Sequence, residues 1–190
     1  MNNEFAELIG IIIGDGFLDG CQKHYRIGIV GNPKNELPYY EYIKKIIKNV
    51  WNKDVKIYHR ARGLRVVVSS KPAFLELINK YKIPKGDGKS QKVTIPKCIL
   101  CNWNLAKHTI RGITDTDGSI FTANKPGSPN YPSIEITTSS KKLAQQLKFV
   151  LLSRGFRVAK IWADKRKNSA TPAYRVPLNG HKNLELWMKE

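Results

Sequence analysis

The sequence predicts an α+β protein of two pseudo-symmetric αββαββα repeats, each with a saddle-like antiparallel four-stranded sheet, joined at a pair of matched helices. Three observations point there. First, Leu8-Ile9-Gly10-Ile11-Ile12-Ile13-Gly14-Asp15-Gly16 and Ile110-Arg111-Gly112-Ile113-Thr114-Asp115-Thr116-Asp117-Gly118 align on their final Asp-Gly. They share Gly at the third position, an aliphatic at the first and fourth, and a small residue before the last Asp. Second, Asp117 follows Asp15 by 102 residues in a chain of 190, an offset that marks a tandem duplication. Third, intervening segments echo one another, as in Ile27-Gly28-Ile29 with Ile134-Glu135-Ile136 and Leu75-Glu76-Leu77 with Leu184-Glu185-Leu186. The repeats are expected at residues 1–81 and 105–190, with 82–104 as a linker.

Taking the chain in order, each motif is apolar, follows helix formers (Glu4 to Glu7; Leu105 to His108) and stops at a glycine, so each reads as the C-terminal end of a helix. Gly10 and Gly14 lie four apart on one helix face, and Gly112 and Thr116 repeat the spacing. Small residues at that interval let two backbones approach closely. Phe17 to Val30 reads as a hairpin turning near Asp19-Gly20, with Tyr25, Ile27 and Ile29 alternating against His24, Arg26, Gly28 and Val30. Residues 35–51 carry Leu37, Tyr40, Ile43, Ile46, Ile47 and Val50 at helical spacing. Val55–Arg60 and Leu64–Ser69 read as strands around Ala61-Arg62-Gly63, and Pro72–Lys80 as a closing helix.

In the linker, Pro84, Gly86, Gly88 and Pro96 predict irregular backbone. Lys82, Lys85, Lys89 and Lys92 fit a solvated segment as well as they fit phosphate contact. The second half repeats the order. A hairpin runs from Ser119 to about Thr138 with a long turn at residues 125–129, and a helix spans Lys141–Arg154, ending at Gly155. Strands follow at Phe156–Ala163 and Ala173–Leu178 around the basic loop 164–169, then a helix at His181–Lys189.

Lys+Arg 33 against Asp+Glu 15 gives a net charge of +18 and a pI near 9.9, which favours a polyanionic partner. Charge alone does not separate a nuclease from a ribosome-associated protein. Cys21, Cys98 and Cys101 make an odd set, which suits a reducing compartment, and Cys98-Ile99-Leu100-Cys101 lacks the second pair that a zinc site needs. No apolar run approaches the roughly 20 residues that span a bilayer. Glu4 and Glu7 argue against a signal peptide, so the expected setting is intracellular, away from membranes: cytoplasm or nucleoid, or the matrix of an organelle that encodes the chain.

If the two motif helices pack along their small-residue faces, their C-terminal ends coincide. Asp15 and Asp117 then meet beside backbone carbonyls left unpaired at the helix ends, where the helix dipoles are negative. Such a concentration of negative charge calls for a hard cation, and carboxylate, carbonyl and water oxygens suit Mg²⁺. Gly14 and Thr116, directly before the acids, are further candidates for the metal site. In each sheet one face must cover the helices and the other is free. The free face should carry His24, Arg26, Lys56, Tyr58, Arg60, Arg65 and Ser69 in the first half. In the second half it should carry Glu135, Thr137, Arg157, Lys165, Arg166, Lys167 and Arg175. Twisted antiparallel sheets of this kind fit the DNA major groove.

The two nonapeptides resemble the paired signature of the LAGLIDADG homing endonucleases, in the form that carries both copies on one chain. Ile110 through Phe121 is the closer copy, and Ile95-Pro96 upstream of it fits the family's habit. The first copy departs at Ile13, where the family name has the Asp present at Asp115. The resemblance implies that Asp15 and Asp117 bind two or more divalent ions, Mg²⁺ or Mn²⁺. With them the protein would hydrolyse one phosphodiester on each strand of a long, asymmetric double-stranded DNA target. It also implies a Gln or Lys after the inner strand of each half, where water is organised around the metals. Asn32 and Ser139 stand at those positions, and Lys34, Lys141 and Lys71 are candidates for the missing positive charge. The expectation is therefore a monomeric, free-standing, intron-encoded endonuclease, since splicing segments flanking the repeats are not seen. The alternative is a non-cleaving nucleic-acid binder, such as a maturase acting on its own intron RNA or a DNA-binding regulator.

Overall fold

The computed structural model describes residues 1–32, 35–60, 63–164 and 171–190, with the Arg60 side chain left aside. The first repeat runs α1 (Asn3–Gly14), β1 (Gly16–Cys21), β2 (His24–Gly31), α2 (Leu37–Trp51), β3 (Ile57–Arg60), β4 (Gly63–Ser69) and α3 (Lys71–Asn79). Two short helices, α4 (Lys89–Lys92) and α5 (Lys97–Leu100), follow. The second repeat is α6 (Trp103–Asp117), β5 (Gly118–Lys125), β6 (Ser128–Thr138), α7 (Lys141–Ser153), β7 (Trp162–Asp164), β8 (Ala173–Asn179) and α8 (His181–Lys189). Both sheets are antiparallel and four-stranded, with matching orders β1-β2-β4-β3 and β5-β6-β8-β7. The expected α+β duplication is what the chain adopts.

Local chemistry explains the elements and the departures from expectation. Asn2 caps α1, its side-chain oxygen accepting from the Phe5 N–H at 2.9 Å. The first hairpin turns at residues 22–23, not at Asp19-Gly20, because β1 continues far enough for Gly20 to pair with Tyr25. The second hairpin turns at residues 126–127 and so is tighter than expected; Gly127, at φ 72°, takes the left-handed conformation there. β3 begins at Ile57, leaving Lys56 just ahead of the strand. Phe156–Ala163 is not one strand. The Asn183 side chain takes the N–H and the carbonyl of Arg157, at 2.9 Å each, so that backbone cannot join the ladder beyond an isolated bridge between Val158 and Leu178. The linker, expected to be irregular, holds α4 and α5, with left-handed Gly86 and Gly88 before α4.

Ile27, Ile29, Val66 and Val68 from one sheet and Ile134, Ile136, Val176 and Leu178 from the other turn toward the helices and join a single hydrophobic core. At its centre α1 packs on α6. A Cβ built on Gly10 would lie 2.1 Å from the Thr109 carbonyl oxygen, and one on Gly112 would lie 2.4 Å from that of Glu7. The two helix backbones are therefore in contact, and the Thr109 hydroxyl donates to the Ala6 carbonyl across the crossing at 2.7 Å. Gly16 and Gly118 are also steric requirements. Neither is left-handed; each strand folds back so tightly that a Cβ would come within about 2.5 Å of the last helical turn.

Substituting Gly112 by Ala should destabilise the protein by about 3 kcal/mol, because the obstructing atoms are backbone and cannot rotate away. Urea denaturation compared with an Ala substitution at exposed Ser69 provides the measurement.

Candidate active site at the helix junction

The crossing brings the last turns of α1 and α6 side by side. A Cβ on Gly14 would lie 2.0 Å from Thr116 Oγ1 and 3.2 Å from Asp117 Oδ2, so the first motif's last helical residue touches the second motif's acid. Asp15 follows as the C-cap of α1, and Asp117 is the last residue of α6. The two acids are thus brought together as expected. Burial raises the Asp15 carboxyl to about 7, with Asp117 and then Glu36 adding to the shift and Lys89 opposing it. Burial raises Asp117 to about 6, again against Lys89.

Lys89 is the residue that the sequence reading did not single out. It begins α4, is 8 % exposed, and drives its ammonium into the C-terminal end of α1. Nζ donates to the carbonyls of Ile12 (2.6 Å), Ile13 (2.9 Å) and Gly16 (2.6 Å), with Gly14 at 3.4 Å. These are the oxygens that a helix terminus and a tight strand entry leave unpaired. A lysine here also meets the negative end of the helix dipole. Burial lowers its pKa to about 8, with Asp117 and Asp15 pulling the other way. The only signal in the sequence was a lysine beside Gly86 and Gly88; the fold back onto α1 arises from tertiary packing.

The remaining candidates sort by position. The Gly14 carbonyl is at the junction, facing Lys89. Thr116 is there too, but its hydroxyl lies 3.0 Å from the carbonyls of both Gly112 and Ile113 within its own helix. The Asn32 N–H donates to Glu36 Oε2 at 2.7 Å, and Glu36 is one of the charges acting on Asp15. Ser139 lines a polar cavity of about 230 Å³ together with Gly14, Asp117, Ser90, Thr137 and Thr138. Lys71 is directed elsewhere: at the start of α3 its ammonium lies 5.4 Å from the centre of the Tyr25 ring. Lys141 is exposed at the start of α7. Lys34 lies outside the described residues. Asp115 does not join the junction; it pairs with Arg111 at 3.7 Å, near buried Glu7, which accepts from the Tyr42 hydroxyl at 2.9 Å. This placement explains why Ile13 can replace the equivalent acid in the first copy.

Strand register shows which side chains share the open sheet faces. In the first sheet Arg26 pairs with Ser69, and Arg65 with both Val30 and Tyr58, opposite the face that carries Ile27, Ile29 and Val66. His24 joins them at the edge, 3.1 Å from Asp19, and the Arg65 guanidinium rests 4.6 Å from the centre of the Phe17 ring. Lys56 is exposed ahead of β3. In the second sheet Glu135, Thr137 and Arg175 share the open face, whereas Arg157 is exposed outside the named strands. The Arg60 side chain and Lys165, Arg166 and Lys167 lie outside what the structure describes.

Two helix ends bring paired acids together between two open sheet faces, and this arrangement has counterparts among known proteins. Residues 105–189 match the model of the LAGLIDADG-like domain. The second repeat is thus similar to such a domain, and the chain as a whole shares the two-repeat fold of the homing endonuclease I-DmoI. Variants of I-DmoI align over 99 % of this chain and 96 % of theirs, at TM-score 0.66 and 17 % identity. I-DmoI in complex with DNA and Mn aligns over 98 % and 93 %, at TM-score 0.63 and 18 % identity. The N-terminal LAGLIDADG domain of DUF199/WhiA aligns over 98 % and 81 %, at TM-score 0.62 and 12 % identity. In sequence, the chain is 30 % identical over 188 residues to the replication factor C small subunit of Methanocaldococcus jannaschii, covering 98 % of this chain and 9 % of that protein. It therefore spans less than a tenth of that relative's length. No helix among the described residues is long and apolar enough to cross a membrane.

The raised carboxyls set a pH dependence for the metal-free protein. Between the ordinary carboxyl range and about pH 7 the folded state binds more protons than the unfolded, so stability falls as pH rises through that window. Asp15→Asn should flatten the slope and, after allowance for solvent screening at this partly buried site, stabilise the protein by about 1–2 kcal/mol at pH 8. Urea titrations of both proteins at pH 5 and pH 8 measure it.

Proposed function

We propose that the protein is a divalent-metal-dependent DNA endonuclease that cuts both strands of a long, asymmetric target, acting as a monomer of the kind encoded by a mobile intron. The observation that carries this reading is the meeting of Asp15 and Asp117 at the α1–α6 junction, between two sheets that each carry an arginine at the same place on the open face. The donor set fits a hard divalent ion: two carboxylates already crowding each other's charge, with backbone carbonyls beside them. Among the described residues no group of three or more His, Cys, Asp and Glu offers another site.

Asp15 and Asp117 would hold the ion, with the Gly14 carbonyl as a further oxygen. When bound, it supplies charge neutralisation at the scissile phosphate and acidifies a water molecule. The protein's own residues supply the rest. One acid from each of the duplicated helices would serve each strand. Lys89 fixes the end of α1, and thereby Asp15, while its positive charge offsets part of the phosphate's negative charge. The sheets carry the duplex; a net charge of +18 brings it there. Solved complexes of I-DmoI with its target DNA in the presence of Mn, and with DNA and Ca, support carrying this chemistry over.

A second reading is favoured by the likeness to DUF199/WhiA, which shares the fold at comparable TM-score. Under it the chain binds nucleic acid without cutting, as a maturase or regulator would.

Incubating the protein with supercoiled plasmid carrying its target, with and without Mg²⁺, separates the two. The endonuclease reading expects metal-dependent linearisation. Asp15→Asn and Asp117→Asn should abolish double-strand cutting while leaving binding in gel-shift assays largely intact. Lys89→Met should slow cutting by about a hundredfold or more. Retained cutting in either Asp variant, or tight binding without cutting by the unaltered protein in Mg²⁺, contradicts it.

A further inference from the structure

The two open sheet faces are built on one plan and differ in how the central arginine of each is held. Arg65 of β4 lies opposite Val30 of β2 and Tyr58 of β3. Arg175 of β8 lies opposite Thr137 of β6 and Trp162 of β7, the same place in the second sheet. Each arginine therefore has an aromatic partner on the edge strand. The neighbours two residues along are unlike. Where the second sheet has Glu135 and Asp164, the first has Gly28 and Arg60.

Consequently the two guanidiniums are held differently. Arg175 Nη1 donates to Glu135 Oε1 at 2.5 Å and Nη2 to Asp164 Oδ2 at 3.0 Å, and the group lies 4.7 Å from the centre of the Trp162 ring. Arg65 has no such acids at the matching positions and rests on Phe17. All three members of the Arg175 cluster keep part of their surface open: 27 % for Arg175, 13 % for Glu135 and 32 % for Asp164. They lie on the face opposite buried Ile134, Ile136 and Val176. Replacing part-buried ion pairs by apolar residues is often neutral for folding, so stability alone does not explain three charges locked together here.

The charge count decides what such a cluster can touch. Two carboxylates around one guanidinium leave a net charge of −1, which disfavours a phosphate in a protein that is otherwise strongly basic. A base edge is different. Across the major groove a G·C pair presents acceptor, acceptor and donor: guanine N7, guanine O6 and the cytosine N4 amino group. A guanidinium has five N–H groups, of which two are spent here, so each Nη keeps one hydrogen. Beside a carboxylate this supplies donor, donor and acceptor, the complement of that edge. An A·T pair presents acceptor, donor and acceptor plus a methyl group, and does not match.

We propose that Glu135 and Arg175 together read one G·C base pair in the half-site bound by the second repeat, the guanidinium donating to guanine and the carboxylate accepting from cytosine N4, with Asp164 and Trp162 holding the guanidinium plane. This rests on the sheets facing DNA, as in the proposed function, and adds that the two half-sites are read by different chemistry. The first repeat meets DNA with a net positive arginine, the second with one pre-set inside a net-negative cluster.

Selection from a pool of randomised duplexes in Ca²⁺, using the full chain, tests it. The unaltered protein should fix one G·C pair in one half of its site with about tenfold or greater preference. Glu135→Gln, which keeps the side-chain shape, and Arg175→Lys should each reduce the preference at that pair to about twofold and leave the other positions as they were. Arg65→Lys should leave that pair unaffected. An unchanged profile in both Glu135→Gln and Arg175→Lys overturns the assignment, as does a uniform loss across all positions, which marks a structural role for the cluster. Failure of the unaltered protein to enrich any sequence overturns the DNA-reading role of the sheets themselves, and the base-pair assignment with it.

Discussion

The backbones of α1 and α6 touch, and the geometry of the candidate site follows from that contact. Helices bearing ordinary side chains pack with their axes about 8–10 Å apart. Gly10 and Gly112 remove the side chains at the crossing, and the residual space is too small for a single methyl group. Only at that separation do the last turns of the two helices come near enough for Gly14 to touch Thr116 and Asp117. The acids then share a partly buried space in which each resists ionisation, and a cation is the natural complement.

The junction is not symmetric. Lys89 closes the end of α1 from within, whereas the end of α6 opens beneath Asp117 onto the polar cavity lined by Ser139, Thr137 and Thr138. The sheets carry the same asymmetry outward, with a cationic centre around Arg65 and an acid-bound one of net charge −1 around Arg175. A duplicated chain thus keeps the shared element at its core, where both copies are needed to build one site. It diverges on the open sheet faces, which under the proposed function each meet their own part of the DNA. An asymmetric protein of this kind suits an asymmetric partner.

Much of this was legible in the sequence. The nine-residue repeats named both helices, the crossing residues and the two acids, because close backbone approach leaves glycines that nothing else explains. Strand alternation at Ile27, Ile29, Ile134 and Ile136 fixed which sheet face is buried, since the period of a strand leaves no other choice. The turn at residues 22–23 was misplaced because Asp19-Gly20 carries a turn signature that the strand pairing overrides. The strand expected at Phe156–Ala163 failed because Asn183, a distant residue, takes the backbone groups of Arg157. Lys89 was one of four linker lysines, and only the path of the chain back to α1 distinguishes it. Likewise Arg175 and its two acids come from three strands, a grouping that no local spacing announces.

The most direct measurement of the central claim is the anomalous scattering of Mn²⁺ in crystals of the protein bound to its DNA target. A peak at the α1–α6 junction within coordination distance, about 2–2.2 Å, of oxygens from both Asp15 and Asp117 or bridging them through the scissile phosphate is the result expected. A map with strong peaks elsewhere and none touching either carboxylate would contradict a metal site built by the crossing of the two helices.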